Sequence, residues 1–130
     1  MRKVKLLNIV MIAVFILSSL SIYAARGLTY GYDIRYFCVW EPDHYYPPND
    51  WWEYDVTSIS TKFNEIKSTY YPNPKITIRT ELYSGTRYKT LTLGQATPYY
   101  DADNRLVQIR AYRYSDHLVD GWLKIRYYAN

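Results

Sequence analysis

The chain of 130 residues carries sixteen Lys and Arg against twelve Asp and Glu, a net charge of +4, with seventeen tyrosines and one cysteine. A single cysteine excludes an intramolecular disulfide framework and any metal site built on paired thiolates. The length supports one domain with its own core and leaves no room for a second.

Arg2, Lys3 and Lys5 precede an uncharged run from Leu6 to Ala24 that ends in small residues, the layout of a secretory signal peptide. Ile22 and Ala24 suit the positions read by a signal peptidase better than Tyr23 does, so the expected division is a leader at 1–24 and one exported domain at 25–130. As a helix the run would be about 28 Å long, which makes an uncleaved membrane anchor the alternative. The leader would remove three cations and no acid, leaving the secreted domain near neutral at +1. So small a charge argues against nucleic acid as a partner. An exported chain almost without cysteine fits a bacterial route. Cys38 is expected to be a buried thiol in a monomer, ahead of a Cys38-linked homodimer.

From Tyr30 the residues alternate: Tyr30, Tyr32, Ile34, Tyr36, Cys38 and Trp40 share one face, and Thr29, Gly31, Asp33 and Arg35 the other. This predicts a strand over Thr29 to Trp40, buried on both sides toward its end. The stretch EPDHYYPPNDWWEYD, Glu41 to Asp55, follows with five acids, five large aromatics, three prolines and no lysine or arginine. Its prolines predict an extended loop that displays Tyr45, Tyr46, Trp51, Trp52 and Tyr54 beside Asp43 and Asp50. Flat rings bordered by carboxylates suit a neutral sugar, and the same rings would serve equally as a core plug. If the end of the stretch is a strand, Trp52 and Tyr54 share a face and Trp51 opposes them.

Val56, Ile59, Phe63, Ile66 and Tyr70 recur at intervals of three and four, so a short helix is expected over 56–70 in preference to a strand. Next, KITIRTELYSGTRYKTLTLGQ predicts a hairpin with Ser84 and Gly85 in a two-residue turn, setting Ile76 against Leu93 and Ile78 against Leu91. Val107, Ile109 and Ala111 share a face, as do Leu123, Ile125 and Tyr127, and these two strands are expected to form a last hairpin. Its outer side would carry Arg110, Arg113, Lys124 and Arg126 among tyrosines and Trp122, a contact for an anionic or membrane surface. The fold class expected is therefore all-β with one short helix, as a small antiparallel sandwich or barrel-like domain.

Chemistry has few footholds. His44 and His117 form no ligand pattern, so no metal and no cofactor are expected, and no serine-hydrolase or phosphate-loop motif occurs. DADNR at Asp101 to Arg105 reads as a turn, lacking the rest of a calcium loop. The first part of the chain, Arg26 to Glu65, is acidic and the remainder basic, which favours rim ion pairs within the domain.

The layout of leader, small size and aromatic strands resembles small secreted bacterial β-sandwich proteins, a group that includes some bacteriocins; the likeness transfers no functional residue. The leading expectation is a non-enzymatic secreted binding domain that contacts envelope or host glycans through the Glu41 to Asp55 stretch. A bacteriocin-like toxin acting at the cell envelope and an inhibitor of a protein partner are the alternatives.

Overall fold

The computed structural model describes residues 28–40 and 51–130. The leader and the loop residues Asp43, Tyr45, Tyr46 and Asp50 lie outside these. Six strands form one antiparallel sheet: β1 (Thr29–Cys38), β2 (Trp51–Thr69), β3 (Lys75–Leu82), β4 (Gly85–Thr92), β5 (Tyr100–Arg113) and β6 (Val119–Ala129). Their order in space is β1-β6-β2-β5-β3-β4. No helix occurs among the described residues.

The helix expected over 56–70 is instead the body of β2, and the reason lies in its irregularities. The register slips between Val56 and Ser58 against β5, and between Phe63 and Glu65 and between Ile66 and Ser68 against β6. Against β6 each bulge adds one β2 residue to an alternation of two, while against β5 the pairing advances two residues on β2 and four on β5, and the inner face of β2 passes from Val56 to Ile59. Buried Val56, Ile59, Thr61 and Phe63 and half-buried Ile66 therefore fall on one face at spacings that imitate a helix. Tyr70, which completed the helical pattern, is 81% exposed. With its β-branched and serine residues the segment also had poor helix propensity.

The β3–β4 hairpin forms with its turn one residue earlier than expected, which shifts the pairing by two. Leu82 pairs with Gly85, so Ile76 faces Leu91 and Ile78 faces Lys89, while Leu93 lies beyond the strand and is exposed. The faces are unchanged, because a slip of two keeps every side chain on its side. Neither turn residue, Tyr83 or Ser84, has positive φ; Gly85 at +137° takes up the twist that a primed turn would have supplied.

The expected last hairpin does not exist. β5 and β6 flank opposite sides of β2, and the tight-turn dipeptide Asp120-Gly121 lies within β6. β6 fits between β1 and β2 because both partners present apolar residues at its register, Phe37 opposite Gly121 and Phe63 opposite Leu123.

β2 and β5 are both irregular where they pass each other, between Val56 and Ser58 on β2 and between Asp101 and Arg105 on β5. Asp103 and Asn104 adopt left-handed φ of 51° and 53°, and the Asp101 carboxylate accepts the Asp103 N–H at 2.9 Å, so DADNR is a local turn embedded in β5. Beyond β4 the segment 94–97 returns to β2: Phe63 N–H donates to Gln95 O, Gly94 N–H to Phe63 O and Thr97 N–H to Thr61 O. Inner residues from all six strands thus join one core, which includes Phe37, Ile59, Phe63, Ile76, Leu91, Val107, Ile109, Leu123 and Ile125. Each such side chain contributes about 1.5–3 kcal/mol on burial, and no disulfide assists among the described residues.

Candidate binding face

β1 turns its aromatic side outward. Phe37 and, just past the strand, Val39 are buried, whereas Tyr30, Tyr32, Ile34 and Tyr36 are 46, 54, 47 and 40% exposed. The parity follows from β6, whose inner Leu123 and Ile125 oppose Arg35 and Asp33, and whose Tyr127 ring occupies the space a side chain at Gly31 would need. Tyrosine tolerates both settings, so the alternation was visible in the sequence and its direction was not.

Outward residues of β6 continue this surface. Tyr30 packs on Tyr128 at 5.5 Å between ring centroids, Tyr128 on Tyr99 at 5.5 Å, and Tyr36 edge-on to Trp122 at 5.9 Å. Cations sit on these rings: Lys124 over Tyr32 at 4.5 Å, Arg126 over Tyr99 at 5.3 Å and Lys67 over Tyr36 at 5.7 Å. On β2, Ser58, Ser60 and Lys62 oppose Tyr128, Arg126 and Lys124. Lys62 and Lys124 therefore face each other directly, an arrangement that costs stability. Among the described residues, neither they nor Arg126 nor Lys67 reaches a carboxylate within ion-pair distance. Arg126 donates to Ser60 Oγ at 2.9 Å, and its Nε is buried without a partner.

Asp120 ties three strands at one end of the face. Its carboxylate, 5% exposed, accepts from Tyr36 Oη at 2.6 Å and from Ser68 Oγ, joining β6 to β1 and β2. Burial opposes its charge, yet the bonds from Ser68, Tyr36 and Trp40, with Lys67 nearby, hold the carboxyl below its ordinary range. The same bond, helped by burial, raises the Tyr36 phenol. Asp120→Asn should cost about 1–3 kcal/mol in urea melts at neutral pH. Because the folded carboxyl is depressed, its stabilisation is present above the unfolded value of about 3.9 and disappears as pH falls through the lower folded value. The gap between wild type and variant should therefore close in acid; a gap that persists there would show that the charge is not what matters.

The other predicted site residues disperse. Trp52 packs against the core, and Tyr54 is 9% exposed on the same inner face, its ring 5.6 Å from Tyr127 and its hydroxyl accepting from Arg35 Nε at 3.3 Å. Burial pushes the Tyr54 phenol up to about 12. Trp51 stands opposite Arg110 in the register. Arg110 and Arg113 lie on β5, across β2 from Lys124 and Arg126; Arg110 donates to Gln108 Oε1 at 3.1 Å, and half-buried Arg113 has the parity of Ile109 and Ala111 at the strand end. Of the four predicted cations, Lys124 and Arg126 alone share the aromatic face. His117 is engaged structurally: its Nδ1 accepts the Lys75 N–H at 3.0 Å, and its ring stacks on Tyr71 at 4.4 Å.

No protein-family model, curated protein or solved structure matches this chain. Lys62, Lys67 and Tyr99 are members that the sequence pattern did not suggest. Lys62 lies in the stretch from Ser58 to Phe63 that pairs with β6 in unbroken register, and the sequence did not reveal that β2 and β6 are neighbours.

Proposed function

We propose that the chain is an exported, non-enzymatic binding domain, a sandwich-like bent sheet that holds an anionic glycan of a cell envelope against the outer face of β1, β6 and β2. The observation that carries this reading is Lys62 opposite Lys124, beside Arg126, amid exposed rings and without a carboxylate partner among the described residues. Like charges placed directly opposite reduce stability, and a polyanion would offset that cost when bound. Tyr30, Tyr32 and Tyr36 supply flat faces for sugar C–H groups, and the cations supply charge. The sheet face takes precedence over the Glu41 to Asp55 stretch because Trp52 and Tyr54 of that stretch point inward.

Binding is tested by titrating acidic and neutral envelope polysaccharides, and anionic lipid vesicles, against intrinsic tryptophan fluorescence, with Trp122 as the reporter on the face. Acidic polysaccharide should bind in a salt-sensitive manner. Lys62→Glu would place opposite charges across the strands, raising stability by about 0.2–1 kcal/mol while weakening polysaccharide binding roughly tenfold, about 1.4 kcal/mol. Binding to neutral polysaccharide with equal strength, or to vesicles alone, would reject the assignment.

A further inference from the structure

We propose that two copies of the chain pair through their β1 edges, antiparallel about a two-fold axis at Ile34, to make one continuous sheet. This stands apart from the choice of ligand. β1 is an end strand, hydrogen-bonded to β6 alone among the described strands. Val39 N–H donates to Val119 O at 3.0 Å in the β1–β6 register, so the odd-numbered residues of β1 exchange hydrogen bonds with β6. Tyr30, Tyr32, Ile34, Tyr36 and Cys38 consequently turn their N–H and C=O groups toward the open side.

Edge strands are normally guarded against pairing by shortness, proline, lysine, bulges or charges on the core side. β1 is ten residues long, without proline, lysine or a register slip. The comparison with the opposite edge is informative. β4 carries Arg87 and Lys89 at the parity of buried Leu91, and two like charges repel a second copy wherever they meet. β1 has charges at the equivalent core-side parity, but Asp33 and Arg35 are of opposite sign.

The hydrogen-bond pattern admits only registers that place even residues opposite even residues. Centred on Asp33, such a register sets Asp33 against itself; centred on Arg35, it sets Arg35 against itself. Centred on Ile34, Asp33 opposes Arg35 of the second copy, twice by symmetry, while Tyr32 opposes Tyr36 and Ile34 opposes Ile34 on the outer side. Charge complementarity therefore selects one register. Asp33 and Arg35 already contact each other at 3.4 Å within the strand, with side chains 36 and 46% exposed, so both remain free to re-pair. The two aromatic faces would then lie side by side on one surface. Cys38 would oppose Tyr30 of the second copy, leaving the two thiols about 27 Å apart along the strands and unable to form a disulfide.

Sedimentation equilibrium of the purified chain, with and without reductant, tests the pairing. A dimer unaffected by reductant is expected at micromolar concentrations. Arg35→Asp should give a monomer, and Asp33→Arg combined with Arg35→Asp should restore the dimer. Ile34→Pro removes an N–H that β6 does not use, so it should abolish the dimer while leaving the β-sheet circular dichroism intact. A monomeric wild type, a dimer that reductant dissolves, a dimer that survives Arg35→Asp, or a double exchange that stays monomeric would each overturn the proposal.

Discussion

Gly121→Ala should cost roughly 3 kcal/mol or more, a large share of the 5–15 kcal/mol that holds a domain together. A Cβ at Gly121 would collide with the carbonyl oxygen of Glu65 and come within 3.0 Å of the Glu65 carbonyl carbon and the Ile66 Cα. All three are backbone atoms of β2 at its bulges, so no side-chain rotation relieves the contact. β6 would have to move away from β2, and Leu123 and Ile125 would move with it. Gly94→Ala is the control: its φ of +87° is strained for alanine, but no atom lies within 4 Å, so it should cost about 1 kcal/mol. Urea midpoints compare the two. Equal losses would mean that the close approach at Gly121 is not a constraint.

Phe63→Ala should cost about 3–5 kcal/mol. The ring is fully buried and meets Phe37 edge-on at 5.5 Å and 82°, joining β2 to β1 across β6. Its backbone N–H and C=O remain tied to Gln95 and Gly94. The substitution therefore leaves a cavity that the strand cannot close by shifting. A double-mutant cycle with Phe37→Ala should return a coupling of about 0.5–1.5 kcal/mol. Strict additivity would show that the two rings stabilise the core independently.

Residues on regular strands were legible in the sequence. Ile76, Ile78 and Leu91, then Val107, Ile109 and Ala111, then Leu123 and Ile125 all face the core as their alternation predicts. Legibility failed where the alternation of β2 breaks, after Val56 against an irregular β5 and at the one-residue bulges after Phe63 and Ile66 against β6, because each break turns a period of two into an imitation of a helix. It failed differently at Tyr30, Tyr32 and Tyr36, where the residue type suits either side of a sheet. Which strands neighbour each other was least accessible: adjacency in sequence suggested a β5–β6 hairpin, whereas β6 gains Phe37 and Phe63 as neighbours by crossing to the other side of β2. Lys124 and Arg126 were foreseen as a basic, aromatic ridge, but their partners on β1 and β2 needed that crossing to be known.

The position of β6 also governs when the protein can fold. Among the described strands, β3 and β4 form the one pairing between neighbours in sequence; the other ladders join distant parts of the chain, and β1 and β2 meet only through β6. Loop closure must precede the contacts that reward it, which makes such topologies slow to fold. A chain emerging from the ribosome can close its β3–β4 hairpin early, but β1 has no place to dock until the eleven residues of β6 arrive. The native sheet thus waits for β6, and a chain lacking that strand would leave β1 without its partner while β2 could still pair with β5.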